Sequence, residues 1–215
     1  VAKLVIFDWD GTLMDSERQI VHCMQMAAHD LELVVPTYES VRHIIGLGLP
    51  EAIERLFPRY DAEVRERIRQ GYAHHFVAGS GGGSDLFPGV LELLNELRGK
   101  GLLLAVATGK SRVGLDRVLQ KTGLTTMFDL TRTADETRSK PDPRMLYELL
   151  AQTRLRPKDA IMIGDTTFDL EMAKNAGMPR IGIAHGVHET GALRAFRPEV
   201  IVEDLFALAD YLRSL

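Results

Sequence analysis

Leu4-Val5-Ile6-Phe7-Asp8-Trp9-Asp10-Gly11-Thr12 is the stretch on which the fold of this 215-residue chain turns. Four consecutive apolar residues stop abruptly at an aspartate. An unbroken apolar run, rather than an alternating one, predicts a strand covered on both faces, as in a parallel sheet. Similar runs recur at Leu102–Ala107, Ala160–Ile163, Arg180–Ala184 and Val200–Val202. Helical patterns separate them, at Val90–Leu97, Ser111–Thr122, Pro143–Thr153, Phe168–Ala176 and Leu205–Leu215. Strands alternating with helices predict an α/β fold with a parallel sheet wrapped on both sides.

Residues 14–85 interrupt that alternation. Ser16-Glu17-Arg18-Gln19 has the pattern of a capping box and predicts a helix start, with Ile20, Met24 and Ala27 on one face. Further helical patterns follow at 37–45, 50–57 and 61–77, with no convincing strand among them. The segment closes on the small-residue run Gly79-Ser80-Gly81-Gly82-Gly83-Ser84. The expected organisation is therefore an α/β core from residues 1–13 and 86–215, with an α-helical domain inserted at 14–85.

Composition narrows the function classes. A net charge of −4 leaves no basic field for nucleic acid or an anionic membrane, so an anionic substrate needs a local positive site such as a metal ion. No apolar run is long enough to span a bilayer. Cys23 is the single cysteine, so no internal disulfide is available, and the first residues lack the pattern of a signal peptide. A cytoplasmic protein, monomer or homodimer, is the expectation.

Four motifs sit at strand exits or helix entries. Asp8 and Asp10, two apart where a strand becomes a turn, can converge so that one attacks phosphorus while the other moves a proton. The same residues also suit an ordinary Asp/Gly turn. Gly164-Asp165-Thr166-Thr167-Phe168-Asp169 clusters oxygen ligands beyond a strand end, which suits a hard cation such as Mg²⁺. Asp165 can equally cap the helix that follows. Thr108-Gly109-Lys110 offers a hydroxyl and backbone amides to phosphate oxygens, or is a small polar turn. In Lys140-Pro141-Asp142-Pro143, Asp142 has the look of an N-cap and Pro143 of a first helical residue. Lys140 then stands where it can bridge phosphate and carboxylate. In open α/β folds ligands bind outside the carboxyl ends of the strands, so the four segments converge on one crevice.

The order DWDGTLMDS, TGK, KPDP, GDTTFD, with Phe87-Pro88-Gly89 re-entering the core, resembles the haloacid dehalogenase superfamily of hydrolases over nearly the whole length. It is similar to the branch with a helical cap after the first motif, which includes phosphoglycolate phosphatase and β-phosphoglucomutase. The resemblance implies a Rossmann-like core, Asp8 as nucleophile forming an aspartyl-phosphate, and Asp10 as general acid and then base. It implies Thr108 and Lys140 on the phosphoryl oxygens, and Mg²⁺ held by Asp8, the Asp10 carbonyl and Asp165, with Asp169 in support. Thr12 and Gly109 are expected near the phosphoryl group. The substrate implied is a small phosphorylated metabolite, 2-phosphoglycolate-like or a sugar phosphate.

Within that superfamily the dehalogenases lack an acid at the Asp10 position, so an oxygen leaving group is implied. No lysine lies between Lys3 and Lys100, whereas phosphonatases and β-phosphoglucomutase use a cap lysine. The mutase reading, and that of a non-catalytic phosphometabolite-binding regulator, are therefore the alternatives. Arg42 and the loop Ile45-Gly46-Leu47-Gly48-Leu49-Pro50 resemble the substrate-facing loop of phosphoglycolate phosphatase-like proteins. Gly46 then allows close approach of backbone, and Arg42 meets a substrate carboxylate or is a solvated helix arginine. The 79–84 run and the 13–16 segment are expected as hinges. His185 and His188 can approach the crevice, His74 and His75 are expected to be exposed, Met24 and Met26 to pack the cap, and Trp9 to lie beneath the first loop.

Overall fold

Leu4–Phe7 forms the expected strand, β1, and the chain then makes a two-residue strand, β2 (Met14–Asp15). Four helices follow: α1 (Glu17–Asp30), α2 (Tyr38–Arg42), α3 (Leu49–Leu56) and α4 (Ala62–Ala78). β3 (Asp85–Leu86) pairs antiparallel with β2, where the chain leaves and re-enters the core. The alternation then runs α5 (Val90–Gly99), β4 (Leu103–Thr108), α6 (Arg112–Thr122), β5 (Leu130–Thr133) and α7 (Arg144–Thr153). It ends with β6 (Ala160–Gly164), α8 (Thr167–Asn175), β7 (Arg180–Ile183), α9 (Thr190–Arg194), β8 (Val200–Val202) and α10 (Leu205–Arg213). This computed structural model describes residues 2–79 and 81–214; Ser80 of the glycine-serine run and Leu215 of the last expected helix lie outside the described residues.

The sheet order is β5-β4-β1-β6-β7-β8, with every neighbouring pair parallel. The pleat sends Leu4 and Ile6 to the layer of α7 and α8, against residues such as Leu149 and Met172. Val5 and Phe7 go to the opposite layer, against Leu94 of α5, Leu115 of α6 and Leu208 of α10. All four are at most 1% exposed, each worth roughly 1.5–3 kcal/mol of burial, which is why the run has no polar gap. Trp9 is fully buried beneath the following loop, edge-on to Phe128.

Helices α1 to α4 pack around Ile20, Met24, Ile53 and Ile68 in an apolar cluster that also takes in Val187. Asp61 caps α4 through Val64 N, and Gly79 ends it in the left-handed conformation. Among the described residues no helix is long and apolar enough to cross a membrane.

Several local readings change. β5 is an edge strand with one apolar residue, Leu130, so its sequence carries no buried-strand signal. β2 and β3 are too short to register as pattern. Ser16 stands at the N-cap of α1 but forms no capping box; its hydroxyl turns back to Asp10. α7 starts one residue late, with Pro143 at the N-cap while Asp142 accepts from Arg144 N. The expected 37–45 helix is the single short α2. His75 is mostly covered and pairs with Asp30, unlike exposed His74.

Candidate active site

β4, β1 and β6 are adjacent, and Phe7 is level with Val106 and Ile163. The residues just past those positions therefore emerge together at one sheet edge. Asp8 leaves β1, Thr108 ends β4 and Asp165 follows β6. Strands about 4.8 Å apart bring such side chains within reach of one small ion.

Asp8, Asp165 and Asp169 each offer a carboxylate oxygen within 4.8 Å of the others, and all three are buried. Lys140 comes in from the loop before α7, fully covered, with Nζ 2.7 Å from Asp8 Oδ1 and 2.6 Å from Asp169 Oδ1. Asp169 Oδ2 accepts from the amide and hydroxyl of Thr166, forming the capping box of α8. Thr166, not Asp165, is thus the N-cap. Asp165 Oδ1 accepts from Thr12 Oγ1 at 2.8 Å and Oδ2 from Val187 N at 2.8 Å. Gly11, at φ +85°, passes so close that a Cβ there would collide with the Asp165 carboxylate.

With all three carboxylates ionised, the one ammonium leaves this buried cluster two positive charges short. Burial first, then the neighbouring Asp169, pushes Asp8 well above the usual carboxylate range, with Lys140 pulling the other way. Burial and Asp169 likewise push Asp165 up to about 7. Burial draws Lys140 down, but Asp169 and Asp8 more than offset it, so it is held above its ordinary value. Asp8 Oδ2 is buried with no hydrogen-bond partner among the described residues. An orphaned oxygen, three converging carboxylates and a deficit of two charges fit a hard divalent cation.

Above Asp8 lies a cavity of about 550 Å³ between the sheet edge and the helical layer. Asp8, Asp10, Thr108, Gly109 and Gly46 all line it. A Cβ on Gly109 would strike the carbonyl oxygens of Gly46 and Leu47, so this glycine lets the 45–50 loop close onto β4. Gly48 N donates to Ser139 Oγ across the same junction at 2.8 Å.

Other expected residues do different work. Thr12 is absent from the cavity wall, its hydroxyl being engaged by Asp165. Lys140 lies beneath Asp8 rather than in the wall. Arg42 is also outside it, ion-paired to Glu17, Glu39 and Glu189. His185 stacks on Phe87 and contacts the Thr12 carbonyl at 3.0 Å. His188 Nδ1 accepts from Thr167 N while Nε2 lies 3.2 Å from the His43 carbonyl, tying α8 to the helical layer. Burial lowers both imidazoles below their ordinary value, with the Thr12 and His43 carbonyls opposing it.

Lys110 was legible only as the third residue of Thr108-Gly109-Lys110, yet it holds a key position. Its Nζ lies 3.2 Å from Asp10 Oδ2 and 4.6 Å from the centre of the Phe76 ring on α4. Ser16 Oγ donates to Asp10 Oδ1 at 2.7 Å. Asp10 is thus fixed toward the cavity by one residue from each side.

Known proteins resemble this chain in sequence and in fold. The chain is 42% identical over 207 residues to a protein of Dickeya dadantii named "Probable phosphatase IndB", covering 93% of this chain and 89% of the relative. It is 30% identical over 217 residues to an Agrobacterium fabrum protein named phosphoglycolate phosphatase, covering 99% and 93%. It also superposes with a TM-score of 0.89 on the crystal structure of a predicted phosphoglycolate phosphatase from Haemophilus somnus 129pt, at 25% identity, covering 99% and 97%. Residues 5–183 match the model of the haloacid dehalogenase-like hydrolases, and the chain belongs to that family.

Proposed function

We propose that this chain is a Mg²⁺-dependent phosphatase that hydrolyses a small phosphomonoester through a phosphoryl group carried on Asp8. The observation that carries this reading is the buried cluster of Asp8, Asp165 and Asp169 with Lys140 fixed between two of them. Asp8, Asp165 and the Asp10 carbonyl would hold the ion, with Asp169 in support. When bound, Mg²⁺ supplies positive charge against an anionic ester that a carboxylate must approach.

The residues divide the remaining work. An Asp8 carboxylate oxygen bonds to phosphorus as the ester oxygen departs. Asp10, already turned to the cavity by Ser16 and Lys110, gives its proton to that oxygen. It then takes a proton from the water that attacks the phosphoryl group, so inorganic phosphate leaves and both acids are restored. Thr108 and the amides after it face the phosphoryl oxygens, and Lys140 offsets negative charge from below. Residues 14–85 act as a cap over this floor, with Gly109 a point of close approach.

The test is phosphate release from a panel of phosphorylated metabolites, with Mg²⁺ and then with EDTA. The expected result is turnover that chelation abolishes and Mg²⁺ restores, and that Asp8→Asn lowers by more than about 10³-fold. Turnover indifferent to EDTA would remove the metal role.

A further inference from the structure

The cavity has room for something larger than a two-carbon acid. Even allowing each non-hydrogen atom of 2-phosphoglycolate the roughly 30 Å³ of a liquid water, that molecule fills about half of the 550 Å³. The wall facing the phosphoryl floor is formed by Met24, Ile44, Leu47, Leu49, Tyr72 and Phe76. A carboxylate placed there would lose its water and gain no more than the one hydroxyl of Tyr72.

Nor does the charge of the lining favour a second anionic group. Lys110 is engaged by Asp10. Arg69 lines the cavity but is held by both oxygens of Glu66, at 2.8 and 2.7 Å. Arg117 lines it from an exposed position, and the exposed acids Glu51 and Asp135 line it too. Arg42, the candidate for reading a substrate acid, lies outside the wall. The Tyr72 hydroxyl has no hydrogen-bond partner among the described residues, so one polar contact is available beside an otherwise apolar face.

Resting on the phosphatase reading, we propose that the alcohol of the substrate carries an uncharged ring with an apolar face, which packs between Phe76 and the Met24–Ile44 side while Tyr72 meets a polar atom at its edge. Rings of this kind include aryl and heteroaryl groups.

The test compares ethyl phosphate, 2-phenylethyl phosphate and 2-phosphoglycolate with Mg²⁺ and the intact chain. The first two share a primary alcohol, so chemistry at the leaving oxygen is matched and the ring alone differs. The expected kcat/KM favours 2-phenylethyl over ethyl phosphate by roughly 30-fold, or about 2 kcal/mol at 1.4 kcal/mol per tenfold. Ala73→Trp, which fills the cavity from α4, is expected to lower that ratio to about 3 or below. A wild-type ratio near 1, or a kcat/KM for 2-phosphoglycolate equal to or above that of the phenylethyl ester, overturns this inference and leaves the phosphatase reading standing. Release of phosphate from none of the three overturns both.

Discussion

Replacing Lys140 with methionine keeps most of the side-chain volume and removes the ammonium that sits among the buried acids. In the native site that nitrogen bonds Asp8 at 2.7 Å and Asp169 at 2.6 Å with no exposure to water. Removing one partner of a buried ion pair costs roughly 3–5 kcal/mol, because the other charge stays behind uncompensated. For a chain of this size that lowers the unfolding midpoint by roughly 6–20 °C. The deficit depends on pH in a definite direction. Asp8 and Asp165 hold their protons above the ordinary carboxylate value, Asp165 up to about 7. Groups shifted that way stabilise the fold below the unfolded value near 4, and the contribution is lost as pH rises through the folded value. Without Lys140, nothing draws Asp8 back down, so its carboxyl stays protonated to higher pH. Asp169 loses its partner at either pH, so the deficit is smaller at pH 5 than at pH 8 rather than absent, and Mg²⁺ recovers part of the loss at pH 8. Thermal or urea unfolding of both proteins at the two pH values, with EDTA and with Mg²⁺, measures this. A deficit under about 1 kcal/mol at pH 8, or one equal at both pH values, would refute the reasoning.

Gly109→Ala places a methyl group against the Gly46 and Leu47 carbonyls, which holds the cap loop off the site. Steady-state assays should show kcat/KM lowered roughly 10–100-fold with the unfolding midpoint nearly unchanged; unaltered kinetics would mean that closure there is unimportant. Lys110→Met removes the cation that fixes Asp10 and rests on Phe76. Turnover should fall roughly 10–100-fold and be partly restored in Lys110→Arg, so equal loss in both variants would count against an electrostatic role.

The core was readable because a strand covered on both sides tolerates no polar residue, and Leu4–Phe7 has none. The meeting of Asp8 with Asp165 followed from the same fact, since parallel neighbours end level at one edge. β5 escaped notice because an edge strand needs less apolar surface, and Leu-Thr-Arg-Thr looks like loop. Long side chains were harder still. Whether Arg42 reads substrate or pairs with acids depends on Glu17 and Glu189, which the folded chain alone brings beside it. Lys110 looks like any solvated lysine until its contact with Asp10, 100 residues earlier, is seen. Thr12 has the same history: a hydroxyl in a phosphate motif whose partner is the acid 153 residues away.

In the proposed reaction a carboxylate, not water, first receives the phosphoryl group. Acid quenching during turnover with Mg²⁺, followed by peptide mass spectrometry, addresses it directly. The expected result is a single phosphoryl adduct on Asp8 that disappears when substrate is exhausted and never forms in Asp8→Asn. An adduct on another residue, or undiminished phosphate release from Asp8→Asn, would contradict it.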